Sequence, residues 1–186
     1  MIGREIGERY PVRSSKIGET VLKVKGLTKQ GVFQDVNFEV HSGEVLGVSG
    51  LMGAGRTEIM QAIFGNLSYE HGTVEIQGRE VRIKSPIQAM KCGIGFITED
   101  RKVEGLMLEE SIEKNIALAN LSSVSSHRVM QKKKEQDLVA KGIGELHIKC
   151  FGPDHECNNL SGGNQQKVVF AKWIYTNPSI LILDEP

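Results

Sequence analysis

Long apolar runs are missing from this sequence, and so is an excess of charge of either sign. Lysine and arginine together number 23 and aspartate and glutamate 23, so no overall basic field recommends a nucleic-acid role. No apolar stretch approaches the roughly 20 residues of a membrane-spanning helix, and no apolar signal core stands at the N-terminus. Cysteine is scarce and odd in number: Cys92, Cys150 and Cys157, without a C-x-x-C pair. His147, Cys150, His155 and Cys157 stand close together, but their spacing fits no common structural zinc site, and reduced, incidental thiols are expected. What remains is ordinary for a globular chain, 39% apolar and 25% charged over 186 residues, which suits one domain with room for an inserted subdomain.

What is there is organised around Gly50-Leu51-Met52-Gly53-Ala54-Gly55-Arg56-Thr57. Before it, Val45-Leu46-Gly47-Val48 reads as a short strand buried on both faces. After it, Ile59, Met60, Ala62, Ile63 and Phe64 form the apolar face of a helix that Gly65 is placed to end. Strand, glycine loop and helix give the spacing of a Walker A phosphate loop its physical meaning. Glycines let successive N–H groups turn inward on a phosphate, and the helix start adds the positive end of its dipole. Thr57 offers a hydroxyl to a magnesium ion. Arg56 stands where the pattern has lysine; it keeps the charge, but its planar fork is bulkier than an ammonium. Binding survives such a change more easily than the positioning needed for rapid hydrolysis.

Along the rest of the chain, residues 1–18 mix charges with Pro11, serines and glycines and read as a linker. Residues 21–24 and 36–40 alternate like half-exposed strands, and 73–76 with 81–83 suggest a hairpin about Gln77-Gly78-Arg79-Glu80. Pro86 opens a short helix through Met90, and Ile94-Gly95-Phe96-Ile97-Thr98 reads as a core strand. Helices are expected over 111–121 and 129–146, so 100–157 reads as a helical insertion. Lys132-Lys133-Lys134 is best read as a solvated helix face.

Two further strings carry chemistry. In Leu160-Ser161-Gly162-Gly163-Asn164-Gln165-Gln166, Ser161 is placed to cap a helix whose start is a second anion site. Ile180-Leu181-Ile182-Leu183 then reads as a buried strand running into Asp184-Glu185. Carboxylates at a strand's carboxyl end lie where doubly wound sheets bind ligands. Asp184 fits a magnesium partner, and Glu185 a group that polarises the attacking water.

In this order, the phosphate loop, Leu160-Ser161-Gly162-Gly163-Asn164-Gln165-Gln166 and Leu181-Ile182-Leu183-Asp184-Glu185-Pro186 resemble the nucleotide-binding domain of ABC transporters over nearly the whole chain. Residues 48–58, Thr98-Glu99-Asp100-Arg101-Lys102 and Asn164 resemble the second half of the tandem ATPase subunits of bacterial monosaccharide importers: ribose, galactose or methyl-galactoside, xylose and arabinose. The resemblance implies an α/β fold, a RecA-like P-loop NTPase core (19–99 and 158–186) with an antiparallel β subdomain and an inserted helical subdomain (100–157). It implies that ATP and Mg2+ bind at Gly50, Gly53, Ala54, Gly55, Arg56, Thr57, Glu58 and Glu99. Thr57 and Asp184 would hold the metal, and Glu185 would be catalytic. Ser161, Gly162, Gly163 and Asn164 match the family signature.

Its implied partners are a preceding ATPase half in the same polypeptide, membrane permease subunits and, indirectly, a sugar-binding receptor. Nucleic acid is not among them. The implied location is peripheral, on the cytoplasmic face of the inner membrane, and the chain is expected to be a fragment at both ends. A DNA-repair member of the family would carry coiled-coil heptads, which 100–157 lacks. Three residue-level departures matter. Arg56 replaces lysine, Glu99 stands where most members have glutamine, and no clear adenine-stacking aromatic lies near residues 28–31, Phe33 being a weak substitute. Arg56 and Glu99 favour a rival reading, a regulatory half that binds nucleotide with little hydrolysis of its own, whereas Asp184-Glu185 favours chemistry. Leu106-Met107-Leu108 is expected at the permease contact.

Overall fold

The structure, a computed structural model, describes residues 15–127 and 129–186. Most of the expected linker (1–14) lies outside the described residues; 15–18 form neither helix nor strand. In chain order the elements are β1 (Thr20–Lys29), β2 (Phe33–His41), α1 (Arg56–Phe64), β3 (His71–Ile76), β4 (Arg79–Val81), α2 (Pro86–Lys91) and β5 (Ile94–Ile97). A π-type turn (Arg101–Gly105) follows, then α3 (Ile112–Leu118), α4 (Leu121–Val124), β6 (Ser125–Ser126), β7 (Val129–Met130) and α5 (Lys132–Glu145). A short 3-10 turn (Cys157–Asn159), α6 (Gly162–Ile174) and β8 (Ile180–Leu183) complete the series.

The alternating segments do form an antiparallel sheet, in the order β2-β1-β3-β4. Leu22 and Val24 of β1 point inward with Val74 and Ile76 of β3, as a period of two requires, and a register shift after Val24 brings Leu27 to the same side. Gln77 and Gly78 turn the β3–β4 hairpin with φ of 49° and 74°, the pair of positive values that matches strand twist in a two-residue turn. Beside this sheet, β5 and β8 pair in parallel from Ile94↔Ile180 to Ile97↔Leu183. Helix α1 buries Ile59, Ala62, Ile63 and Phe64 and ends on Gly65 at φ 84°. Ser85 caps α2, with Pro86 in its first turn.

Two apolar cores result. One joins the antiparallel sheet to α1, α2, β5 and β8; the other gathers Ile97, Ile112, Ile116, Val139, Val168 and Val169 between α3, α5 and α6. Trp173 touches both, and its ring stands 5.7 Å from that of Phe64, edge to face.

Several expectations need correction. Residues 45–48 form no strand: they pair with no described strand, and Val45 is 70% exposed. Hydrophobicity alone does not make a strand; its N–H and C=O groups need a neighbour to bond. Strand β8 is half-buried rather than buried on both faces, Ile180 and Ile182 being inside and Leu181 and Leu183 exposed. The insertion is not wholly helical. The expected helix over 111–121 breaks after Leu118, where Asn120 Nδ2 donates to Ile116 O (2.8 Å) and Lys172 O (2.9 Å) and fastens the bend to α6. The β6–β7 hairpin then takes the start of the helix expected over 129–146. Leu106 is buried, while Met107 is exposed.

Asn115 holds the Met107 loop onto α3. It is fully buried; its Oδ1 accepts from Met107 N (2.8 Å) and its Nδ2 donates to Met107 O (2.9 Å) and Ser111 O (3.0 Å). Removing the amide takes away the acceptor of the Met107 N–H, a part-buried bond, at a cost of about 1 kcal/mol. Asn115→Ala is expected to lower the urea midpoint with an unchanged slope, as equilibrium denaturation will show.

Candidate functional site

The phosphate loop is built by backbone geometry. Gly53 and Gly55 both sit at φ 80°, where a side chain is strained. At Gly53 an added Cβ would meet nothing within 4 Å, so the loop stays open there; at Gly55 it would stand 3.0 Å from Val32 O. The β1–β2 hairpin tip thus abuts the start of α1, a contact the sequence did not signal. Ala54 N donates to Leu51 O (3.0 Å) across the turn. Helix α1 starts at Arg56, so its first N–H groups have no partner within the helix. Thr57 and Glu58 stand in that first turn.

The carboxyl ends of β5 and β8 converge on the same edge. Because Ile97 pairs with Leu183, Thr98-Glu99 and Asp184-Glu185 leave the sheet side by side, and Asp184 N donates to Ile97 O (2.9 Å). Asp184 is 8% exposed, and its Oδ2 is buried without a hydrogen-bond partner among the described residues. An orphaned buried carboxylate oxygen is costly, and a hard cation is the partner that suits it. Asp184 is thus chemically suited to a magnesium ion, and Thr57 follows Arg56, the residue that joins the loop to the same strand end. Glu185 stands at φ 43°, sparsely populated backbone of the kind that gathers at functional sites. Arg56 Nη2 donates to Glu185 Oε1 at 2.9 Å, so loop and strand end are joined across 129 residues of chain. Glu99 is exposed.

The Ser161–Gly163 turn is a separate place. The expected cap is not made: the Ser161 side chain caps no N–H of α6, and its Oγ accepts from Asn164 Nδ2 (3.0 Å). Asn164 Oδ1 in turn accepts from Lys149 N (3.0 Å), tying the turn to the end of the insertion. Intercepted by Asn164, the hydroxyl leaves the first N–H groups of α6 without a side-chain acceptor. Among the described residues, no hydrogen bond or ion pair joins 161–164 to the phosphate loop.

Phe33 is buried and gives no stacking face. Beside it a recess of 620 Å³ is lined by Thr28, Gln30, Gln34, Glu70 and His71 among others. Cys157 is buried and accepts from Asn115 Nδ2 (3.3 Å), and burial pushes its thiol up to about 11, so it stays protonated at neutral pH. It is packed as a small apolar side chain.

A family model described as ABC transporter matches residues 33–186. The ribose import ATP-binding proteins RbsA of Geobacillus kaustophilus and Bacillus subtilis are 55% and 53% identical to the chain over all 186 residues. The chain spans 38% of the length of those relatives. An ATP-binding cassette solved as a post-hydrolysis dimer with ADP and Pi superposes with a TM-score of 0.72 at 21% identity, covering 87% of this chain and 72% of that one. The cbiO1 component of an ABC transporter complex from Clostridium perfringens gives 0.71 at 20% identity, covering 90% and 66%. These two show the same fold, a P-loop NTPase cassette.

If Asp184 holds the metal, its charge should matter only when magnesium is present. Asp184→Asn is expected to erase the magnesium-dependent gain in affinity for a fluorescent ATP analogue while changing magnesium-free affinity by no more than about twofold, a fraction of a kcal/mol. A gain of parental size in the variant would remove Asp184 from the metal site.

Proposed function

The chain belongs to the ABC transporter family, and on that premise we propose that it is part of the ATP-binding subunit of a monosaccharide importer. Ribose is the first candidate, because relatives matching the whole chain carry that name. The observation that carries the nucleotide reading is the meeting of the phosphate loop with the Asp184–Glu185 strand end, where a buried carboxylate oxygen lacks a partner among the described residues. In this reading Gly50, Gly53, Ala54, Gly55, Arg56, Thr57 and Glu58 hold the phosphates of ATP, and Glu99 borders them. Thr57 and Asp184 hold Mg2+, which would offset phosphate charge. Glu185 orients the water.

The rest of the reading follows the family. The chain divides into a linker (1–18), an ATPase core with its β subdomain (19–99 and 158–186) and the inserted subdomain (100–157). Its partners are a preceding ATPase half in the same polypeptide, the permease and, through the permease, a sugar receptor. Its place is the cytoplasmic face of the membrane, as a peripheral subunit. Two such domains would pair head to tail, so that Ser161, Gly162, Gly163 and Asn164 act on ATP held by the other half. Backbone N–H groups and the α6 dipole are there the stabilisers of charge on the transferring phosphoryl group.

A second reading concerns this chain's own pocket: it binds ATP and turns it over slowly. The Arg56–Glu185 pair favours it, since an arginine fork engaging the catalytic carboxylate competes with water for that group. The pair is partly exposed, so its strength is at most about 1 kcal/mol, roughly a fivefold handicap. A triphosphate displaces it without difficulty, and binding is retained.

Both readings are tested in the longer polypeptide with its permease. Ser161→Arg is expected to abolish most ATP hydrolysis and sugar uptake, because it fills the competent site. Arg56→Ala is expected to weaken nucleotide retention and leave a substantial share of turnover. Hydrolysis and uptake measured beside the parent decide: equal, near-complete loss in both variants would make the two sites equivalent and reject the asymmetry.

A further inference from the structure

Of the segment Thr98-Glu99-Asp100-Arg101-Lys102, only Glu99 enters the proposed chemistry. Asp100 and Arg101 have a structural role that bears on the signature. Asp100 Oδ1 accepts from Lys102 N (2.9 Å) and Val103 N (3.1 Å) and starts the π-type turn, which Leu106 N closes on Arg101 O (2.8 Å). Geometry of this kind is rare and tends to mark functional places.

Both ends of that turn are fastened to α6. At its start the Arg101 guanidinium lies on the signature: a Cβ at Gly162 would stand 2.9 Å from Arg101 Nη2. Further along, a Cβ at Gly105 would stand 3.3 Å from Val169 Cγ2. At its end Lys172 Nζ donates to Gly105 O (2.9 Å), and burial pulls the Lys172 ammonium below the usual lysine value. Neither cation is in an ion pair among the described residues, and Arg101 Nε is buried without a partner. From Gly162 to Lys172 the two grips span roughly 15 Å of helix.

The contact also bears on the first signature glycine. Gly162 and Gly163 both lack the left-handed φ that would demand glycine. In a helix, alanine would be preferred by about 1 kcal/mol. At Gly163 a Cβ would meet nothing, so its absence leaves backbone open to a ligand. At Gly162 that space holds the end of the Arg101 side chain, which a Cβ would push aside. The two glycines thus face different surroundings.

We propose that Arg101 is a positioning residue for the signature turn: packed under Gly162, it fixes where Ser161–Gly163 present their donors. It also ties that turn to the carboxyl end of β5, three residues after Thr98. The inference rests on the reading that the signature acts on a nucleotide phosphate.

The test uses the longer polypeptide with its permease in proteoliposomes, comparing Arg101→Ala, Arg101→Lys and Ser161→Arg with the parent. Arg101→Ala is expected to lower kcat for ATP about tenfold with KM changed less than about twofold, the pattern of an interaction realised in the transition state. Amide exchange should quicken at Asn164 and Gln165, whose N–H groups bond Ser161 O at 2.9 Å. Arg101→Lys, which keeps charge without the fork, should recover part of both. An unchanged kcat, unchanged exchange, or a fall in kcat that follows a lowered Tm and is not relieved by lysine would each overturn the proposal. Full hydrolysis in Ser161→Arg would instead overturn the reading beneath it, so the two failures are distinguishable.

Discussion

The parallel pairing of β5 with β8 is the constraint on which the site depends. Four register pairs, from Ile94↔Ile180 to Ile97↔Leu183, bring together residues about 86 positions apart in the chain. A one-residue slip would invert every side chain of β8, sending Ile180 and Ile182 to solvent and Asp184 out of its buried position. Pairing of this range closes a long loop and is entropically expensive. The expense is offset by the cores that β5 and β8 help to seal, with Ile94, Phe96 and Ile182 on one side and Ile97 on the other.

Aromatic packing then fixes α1 and α6 relative to that pair. Phe64, at the end of α1, meets Phe96 of β5 at 5.2 Å and Trp173 of α6 at 5.7 Å. Contacts of this tilted or edge-on kind contribute roughly 0.5–1.5 kcal/mol each beyond area burial. Their larger consequence is geometric. Helix α1 carries the phosphate loop at its start and α6 carries the signature at its start, so both loops are referred to the same cluster through rigid helices.

Much of the candidate site was legible because its chemistry demands particular residue types at particular spacings. Glycines at 53 and 55 are needed where the backbone is left-handed, and the aspartate after the apolar strand does hold a buried oxygen with no partner among the described residues. The antiparallel sheet was legible from its alternation and the Gln77-Gly78 turn. What was not legible depended on partners distant in sequence. Residues 45–48 have the composition of a strand and no ladder to join; Leu181 and Leu183 are apolar and face outward. The break after Leu118 rests on Asn120 reaching a carbonyl 52 residues away. Ser161 looked like a cap because the nearest N–H groups are its local acceptor's natural partners, but Asn164 intercepts its hydroxyl.

The two helix starts differ in how their nearest cations are compensated, and this gives the proposed asymmetry a physical basis. At α1 the charge of Arg56 is already matched by Glu185 at 2.9 Å. With Asp184 and Glu99 close by along the sheet edge, this end is net negative until a metal arrives. In the proposed reading a triphosphate entering there would bring magnesium and draw Arg56 away from Glu185, at a cost of at most about 1 kcal/mol. At α6 the Arg101 guanidinium under Gly162 has no carboxylate partner among the described residues. At physiological salt, charge is felt over about 8 Å, enough for Arg101 to add to the dipole at the turn it supports. The signature start is thus positively poised as it stands, whereas in the proposed reading the phosphate-loop start would become so only with a metal. One end is suited to meeting charge that develops on a phosphoryl group held elsewhere; the other is suited to retaining a nucleotide.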